Sequence, residues 1–241
     1  METIMKALEE YFTKPLAQSA CFYPDARLLE VRDGNIRYGT PHTAQPLGAG
    51  WTLFLADWIS PQLCYAHVGY IQEGKYRHEA LTFLGLDSGW KLVSVLRAET
   101  PAQYASIFAA PDQEREALEA ISGVLLAYCS GVYNLDADQA LSVFDEGARM
   151  VHPVDGARFA DVSCKVFRER WAGLPHPQTL GIPQYAHIWH IELLNRDTAI
   201  AKVGVAKLND HFNDYLFCLK AGGRWRIAHK LTQSVWLRPE S

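Results

Sequence analysis

The chain has 241 residues, 49% of them hydrophobic and 21% charged, a globular balance that excludes a disordered or fibrous protein. Its length suits one large domain or two small ones. The formal net charge of −4 lacks the positive surplus with which nucleic-acid binders neutralise phosphates, and no run of Lys and Arg makes up for it.

Met1 to Lys6 runs into Glu9 and Glu10, so no apolar leader develops. A helix is predicted over Glu2 to Phe12. The most apolar region, Trp51 to Tyr70, is interrupted by Asp57, Ser60 and Pro61, whereas a membrane span needs about 20 mostly apolar residues. Strands are predicted near Tyr65 to Gln72, Lys75 to Leu86 and Lys91 to Arg97. Ala98 to Asp112, with Pro101 and Pro111, reads as a linker in which Gln103 to Phe108 fits a short helix. The boundary falls near residue 110, giving domains 1–110 and 111–241, with Asp112 as N-cap of the next helix.

Leu118, Ile121, Leu125, Tyr128 and Val132 recur at helical spacing and mark one face of that helix. Asn134-Leu135-Asp136 breaks it, and Asp138 to Phe144 reads as a second, short helix. A short strand follows at Arg149 to Val154, then a helix at Ser163 to Trp171 and a proline-marked loop to Pro183. His187–Leu194 pairs with Ala199–Leu208 across Asn195-Arg196-Asp197, and Phe212–Lys220 with Trp225–Thr232 across Ala221-Gly222-Gly223. Helices first and an antiparallel meander after them define an α+β domain.

Two segments recur. Phe22-Tyr23-Pro24-Asp25-Ala26-Arg27, running to Asp33-Gly34, is echoed by Phe144-Asp145-Glu146-Gly147-Ala148-Arg149, running to Asp155-Gly156. Gly89-Trp90-Lys91-Leu92-Val93 is echoed by Gly223-Arg224-Trp225-Arg226-Ile227. The echoes keep their order, and their offsets differ as loop insertions between two diverged copies would make them. The first copy is shorter between Tyr11 and Phe22 than the second between Tyr128 and Phe144, so its helices are clipped.

Phe212-Asn213-Asp214-Tyr215-Leu216, leading into Gly223 to Ile227 and Lys230, resembles the signature of the "Putative lumazine-binding" family of the nuclear transport factor 2-like superfamily. Phe22 to Arg27 resembles that family's other signature. The resemblance covers most of residues 113–235 and, more loosely, 5–97. It implies tandem cone-shaped (cystatin-like) domains, each a bent sheet wrapped around helices with a cavity inside, and packing as an internal pseudo-dimer; the same chain is compatible with further homo-oligomers. Ketosteroid isomerases, scytalone dehydratase and polyketide cyclases share the superfamily, so the fold alone does not name an activity.

Tyr128 through Asp136 to His152-Pro153 resembles the start of ketosteroid isomerases. The resemblance implies an oxyanion-hole tyrosine at Tyr128, a base at His152 in place of an aspartate, and a protonated acid at Asp214. An acid in an apolar cup favours its neutral form and can donate to a developing enolate, while histidine titrates near neutrality and can move the proton. Trp171 and His187 are the further candidates for contact with a substrate. A packed tyrosine, a strand-end histidine and a core tryptophan account for the same residues, and alternation cannot choose which face of its strand Asp214 occupies. His187 and His190 fall on opposite faces of one strand. Matching the copies sets Glu30 opposite His152 and Glu79 opposite Asp214, two carboxylates able to share a proton or to be relics of a lost site.

Scattered histidines without carboxylates at ligand spacing make no metal site, and no cofactor is expected. Cys21, Cys64, Cys129, Cys164 and Cys218 stand far apart with no C-x-x-C pair, which reads as reduced thiols in a cytoplasmic protein. The expected partner is a small organic molecule in the C-terminal domain, bound or transformed by proton transfer, with no nucleic acid and no membrane. The competing expectation is a non-catalytic interaction module with filled cavities.

Overall fold

The computed structural model describes residues 2–13, 22–41, 50–101, 111–155, 158–208 and 210–235. The short helix expected over Gln103–Phe108 lies outside them. The chain divides into two compact units, Met1–Ile107 with Pro153–Arg158, and Phe108–His152 with Phe159–Ser241.

The N-terminal unit opens with α1 (Glu2–Thr13), whose Ile4, Leu8, Tyr11 and Phe12 recur at helical spacing and are all buried. Six strands follow: β1 (Phe22–Arg32), β2 (Asn35–Gly39), β3 (Trp51–Ser60), β4 (Leu63–Gln72), β5 (Lys75–Leu86) and β6 (Gly89–Pro101). They form one sheet in the order β2-β1-β6-β5-β4-β3, antiparallel except where β1 lies parallel to β6. Ala98 to Pro101, read as linker from sequence, continues β6 and pairs with β5 as far as Pro101 opposite Lys75.

In the C-terminal unit α2 (Pro111–Asn134) and α3 (Ala137–Leu141) precede β7 (Phe144–Asp155), β8 (Arg158–Ser163) and α4 (Cys164–Trp171). A 3-10 turn at Pro177–Leu180 leads to β9 (Ala186–Asn195), β10 (Thr198–Lys207), β11 (Asp210–Ala221) and β12 (Arg224–Val235). Asp112 lies inside α2, where its carboxylate pairs with Arg115, so it does not cap the helix as expected. The break after Asn134 falls where the sequence puts it. Leu135 takes a left-handed φ of 53°, and the side chain of Asp136 caps α3 by accepting from the backbone N–H of Gln139 at 2.9 Å.

The second sheet runs β8-β7-β12-β11-β10-β9, the same order as the first with every strand advanced by one repeat, and again β7 and β12 are parallel. β5 and β11 pass from exposed to half-buried to fully buried in the same sequence of positions. Each is paired to its partner through a bulge at the same place, opposite Thr82/Phe83 in one and Phe217/Cys218 in the other. This agreement in order, register and irregularity is that of two copies of one α+β unit.

The hairpin between β11 and β12 closes on Gly222 and Gly223 at φ 55° and 77°, a two-residue turn that glycine enters without strain. α2 lays Ile121, Leu125, Tyr128 and Val132 against the sheet, in one core with Ala201, Val203, Leu216 and Ile227. Gly131 brings α2 onto α3: a Cβ there would stand 2.3 Å from the backbone nitrogen of Ala140. Gly131→Ala is therefore expected to destabilise this unit by about 1–3 kcal/mol through overpacking, measured by urea unfolding.

Candidate functional site

A cavity of about 290 Å³ opens within the C-terminal unit. Its apolar wall comes from Val132 on α2, Met150 on β7, Val162 on β8, Phe167 and Trp171 on α4, and Val205 on β10. Phe167 and Trp171 pack ring on ring at 4.5 Å. Asp214, Tyr128, Lys230 and Thr232 make the buried end, while Arg170, Asp210 and Ser234 are exposed and mark the mouth. His152 and Lys207, half-buried, stand between.

At the buried end Asp214 is fully enclosed. The Tyr128 hydroxyl donates to its Oδ2 at 2.5 Å, and the Thr232 hydroxyl donates to Oδ1 at 2.7 Å. Lys230 Nζ donates to the same Oδ1 at 3.3 Å and also to Thr232 Oγ1. The ammonium lies 5.7 Å from the ring centroids of both Tyr128 and Phe167, within cation–π range. Burial, then the Asp214 charge, push the Tyr128 hydroxyl well above its usual value, so it stays a donor.

Asp214 is engaged here by donors from its neighbours instead of aiming a donor into the cavity. Its carboxylate accepts from three groups, one of them a cation. The hydroxyl of Tyr128 is turned to Asp214. The cavity face of β11 carries Phe212, Asp214, Leu216 and Cys218, while Tyr215, Phe217 and Leu219 opposite are also buried, which is why alternation could not choose.

His152 is held below its ordinary value of 6.5, first by burial and then by the positive charges of Lys230, Arg170 and Lys207. Its imidazole is thus neutral at pH 7 and able to accept a proton. Lys207 is lowered by burial and by Lys230 and Arg170, against the opposing pull of Asp210.

Trp171 lies in the cavity wall. His187 does not reach the cavity. A bulge at Trp189 shifts the β9–β10 register between Ile188 opposite Val203 and His190 opposite Lys202, so His187 and His190 share the exposed side instead of taking opposite ones. His187 rests against Trp189 at 4.2 Å, and Trp189 is 52% exposed. Lys230, Thr232, Lys207, Arg170, Asp210 and Ser234 are polar lining residues that the sequence did not point to as site residues.

The N-terminal unit repeats this framework, and among its described residues the matching polar groups are joined to one another. Val68, Glu79 and Arg97 stand level across its sheet, as Val203, Asp214 and Thr232 do in the other. Tyr11 donates to Glu79 Oε2 at 2.8 Å, matching Tyr128 on Asp214. Tyr70, two residues on from Val68 where the other unit has Val205, donates to Oε1 at 2.8 Å. Arg97 pairs with Oε1 at 2.7 Å. Glu79 is fully buried and spoken for, and Glu30 instead pairs with Arg32 at 3.0 Å. Of the two readings of Glu30 and Glu79, a shared proton or relics of a lost site, the internal arginine and the two tyrosines favour the second.

Among the described residues no group of His, Cys, Asp and Glu is arranged to hold a metal ion. Cys64, Cys129 and Cys218 are free, and burial pushes each thiol up to about 12, which leaves them protonated and unreactive at pH 7. No described helix is long and apolar enough to cross a membrane.

The family model described as "Putative lumazine-binding" matches residues 116–233. No curated protein is similar to the chain in sequence. Among solved structures, an NTF2-like protein of unknown function from Shewanella baltica is 21% identical, with 54% of this chain and 99% of that chain covered and a TM-score of 0.46. One from Silicibacter pomeroyi is 19% identical, covering 51% and 98%, with a TM-score of 0.45. A ketosteroid isomerase-like protein from Erwinia carotovora is 13% identical, covering 52% and 98%, with a TM-score of 0.40.

Proposed function

We propose that the C-terminal unit, which the "Putative lumazine-binding" family model matches over residues 116–233, holds a small organic molecule in its cavity and moves a proton on it. The observation that supports this most directly is a neutral half-buried base, His152, and a buried ammonium, Lys230, lining one mostly apolar cavity. In such a site His152 takes a proton from a carbon next to a carbonyl, and the electron pair moves to the carbonyl oxygen. The Lys230 ammonium has three N–H donors, of which Asp214 and Thr232 take two. The third is the donor for the developing oxyanion, in a site where little water competes. Return of the proton from the imidazolium completes an isomerisation or an exchange with solvent. Tyr128 and Asp214 hold Lys230 in place, and Trp171 contributes apolar wall.

The test is solvent deuterium uptake at the α-carbons of 2-tetralone, an enolisable two-ring ketone, followed by NMR with the full chain. The wild type is expected to accelerate uptake over buffer, and His152→Ala to lower that acceleration by about 10²–10⁴-fold. Because the imidazole is held below 6.5, activity should persist at pH 7 and fall only as the solution turns more acid than that value. Equal rates for wild type, His152→Ala and buffer would leave binding as the whole function.

For the N-terminal unit the mutually paired Tyr11–Tyr70–Arg97–Glu79 cluster favours a structural role without a ligand.

A further inference from the structure

The two copies differ most in the charge that faces the shared cup. The positions of His152, Lys207 and Lys230 in the C-terminal unit correspond by register to Glu30, Gln72 and Val95 in the N-terminal one. Of these only Glu30 is charged, and it pairs with Arg32, while the buried Glu79 beside them is met by Arg97 of the same chain. The C-terminal cup keeps its space open. Lys230 is matched by Asp214, and the field of Asp210 acts on Lys207. With His152 neutral, Arg170 remains as positive charge that no lining carboxylate offsets.

We infer that the C-terminal cavity selects small organic anions, carboxylic acids on a frame of one or two rings, with the acid group at the mouth between His152, Lys207 and Arg170. This rests on the reading of the cavity as a small-molecule site and names the class it takes. A singly charged carboxylate there matches the unpaired charge, and a charge leaving water needs such a match. The depressed titration of Lys207 and His152, each caused in part by the neighbouring cations, has the same origin and would relax when an anion binds. The frame is limited by volume: about 290 Å³ lies at the small end for ligand pockets. Phe167, Trp171 and Phe212 offer flat apolar surface for a ring.

The experiment compares 2-naphthoate with 2-naphthamide, equal in shape and different in charge, by calorimetry on the full chain. Val205→Tyr, which puts a plug in the cavity, reports whether binding is inside it. Naphthoate is expected to bind at least about tenfold more tightly than the amide. Arg170→Gln and Lys207→Gln should each weaken naphthoate by a larger factor than the amide, and added salt should do the same. If the amide binds as tightly as the acid and Val205→Tyr abolishes both, the anion inference falls while the small-molecule cavity stands. If neither binds, or Val205→Tyr changes nothing, the cavity reading falls and this inference with it.

Discussion

Val205→Tyr is expected to abolish ligand binding in the C-terminal unit while leaving its stability within about 1.5 kcal/mol of wild type, the range of well-accommodated core changes. The N-terminal unit already contains this arrangement. Tyr70 occupies the corresponding place on β4, is buried, and sends its hydroxyl to the carboxylate equivalent to Asp214. A tyrosine at 205 would enter a cavity instead of a packed core, so the added ring meets open space on its inner side. Asp214 is one methylene shorter than Glu79, so the pair Val205→Tyr with Asp214→Glu should reproduce the N-terminal arrangement more fully. Thermal unfolding measures the first half of the expectation, and calorimetry with a cavity ligand the second. A Val205→Tyr protein that folds normally and binds as well as wild type would show that the cavity is not where ligands go.

How far the sequence reached depends on where the strands bulge. The helix face from Ile121 to Val132, the break at Leu135, the four closing strands and the duplication were legible because periodicity and turn residues act locally. β1, β2, β3 and β8 were not named as strands, since their apolar residues alternate weakly and only pairing with a neighbour defines them. Asp214 was found through a resemblance, and its partners were hidden by one residue. Counting back from the Gly222–Gly223 turn sets Asp214 opposite Leu231. The bulge at Ala228, between Phe217 opposite His229 and Cys218 opposite Ile227, moves Thr232 into that place and Lys230 onto the same side. A second bulge, at Trp189, reversed the side of His187. Local sequence carries no strong mark of either irregularity, so the identity of the cup was readable while its polar lining was not. Arg170 and Lys207 meet only through the fold, from α4 and the end of β10.

Asp214→Ala should be the most damaging single change in the C-terminal unit. Lys230 is 5% exposed, and its charge faces the rings of Tyr128 and Phe167 with Asp214 as its counter-ion. Removing the carboxylate strands that ammonium and leaves the Tyr128 hydroxyl without its acceptor. Breaking a buried pair in this way costs about 3–5 kcal/mol, against about 1–3 for a buried polar group left unsatisfied. For a domain of this size the loss lowers the midpoint of thermal unfolding by about 10 °C or more. The double change Asp214→Leu with Lys230→Met removes both charges together and should recover most of that stability, because an apolar pair of similar volume is often neutral or better than the ions. Deuterium uptake by 2-tetralone should be lost in the double variant even though it folds, since no ammonium remains to meet the oxyanion. A stable double variant with full exchange activity would assign the Asp214–Lys230 pair to architecture alone. A stable Asp214→Ala would mean that water or a neighbouring group already shields Lys230, and that the cup is wetter than its walls imply.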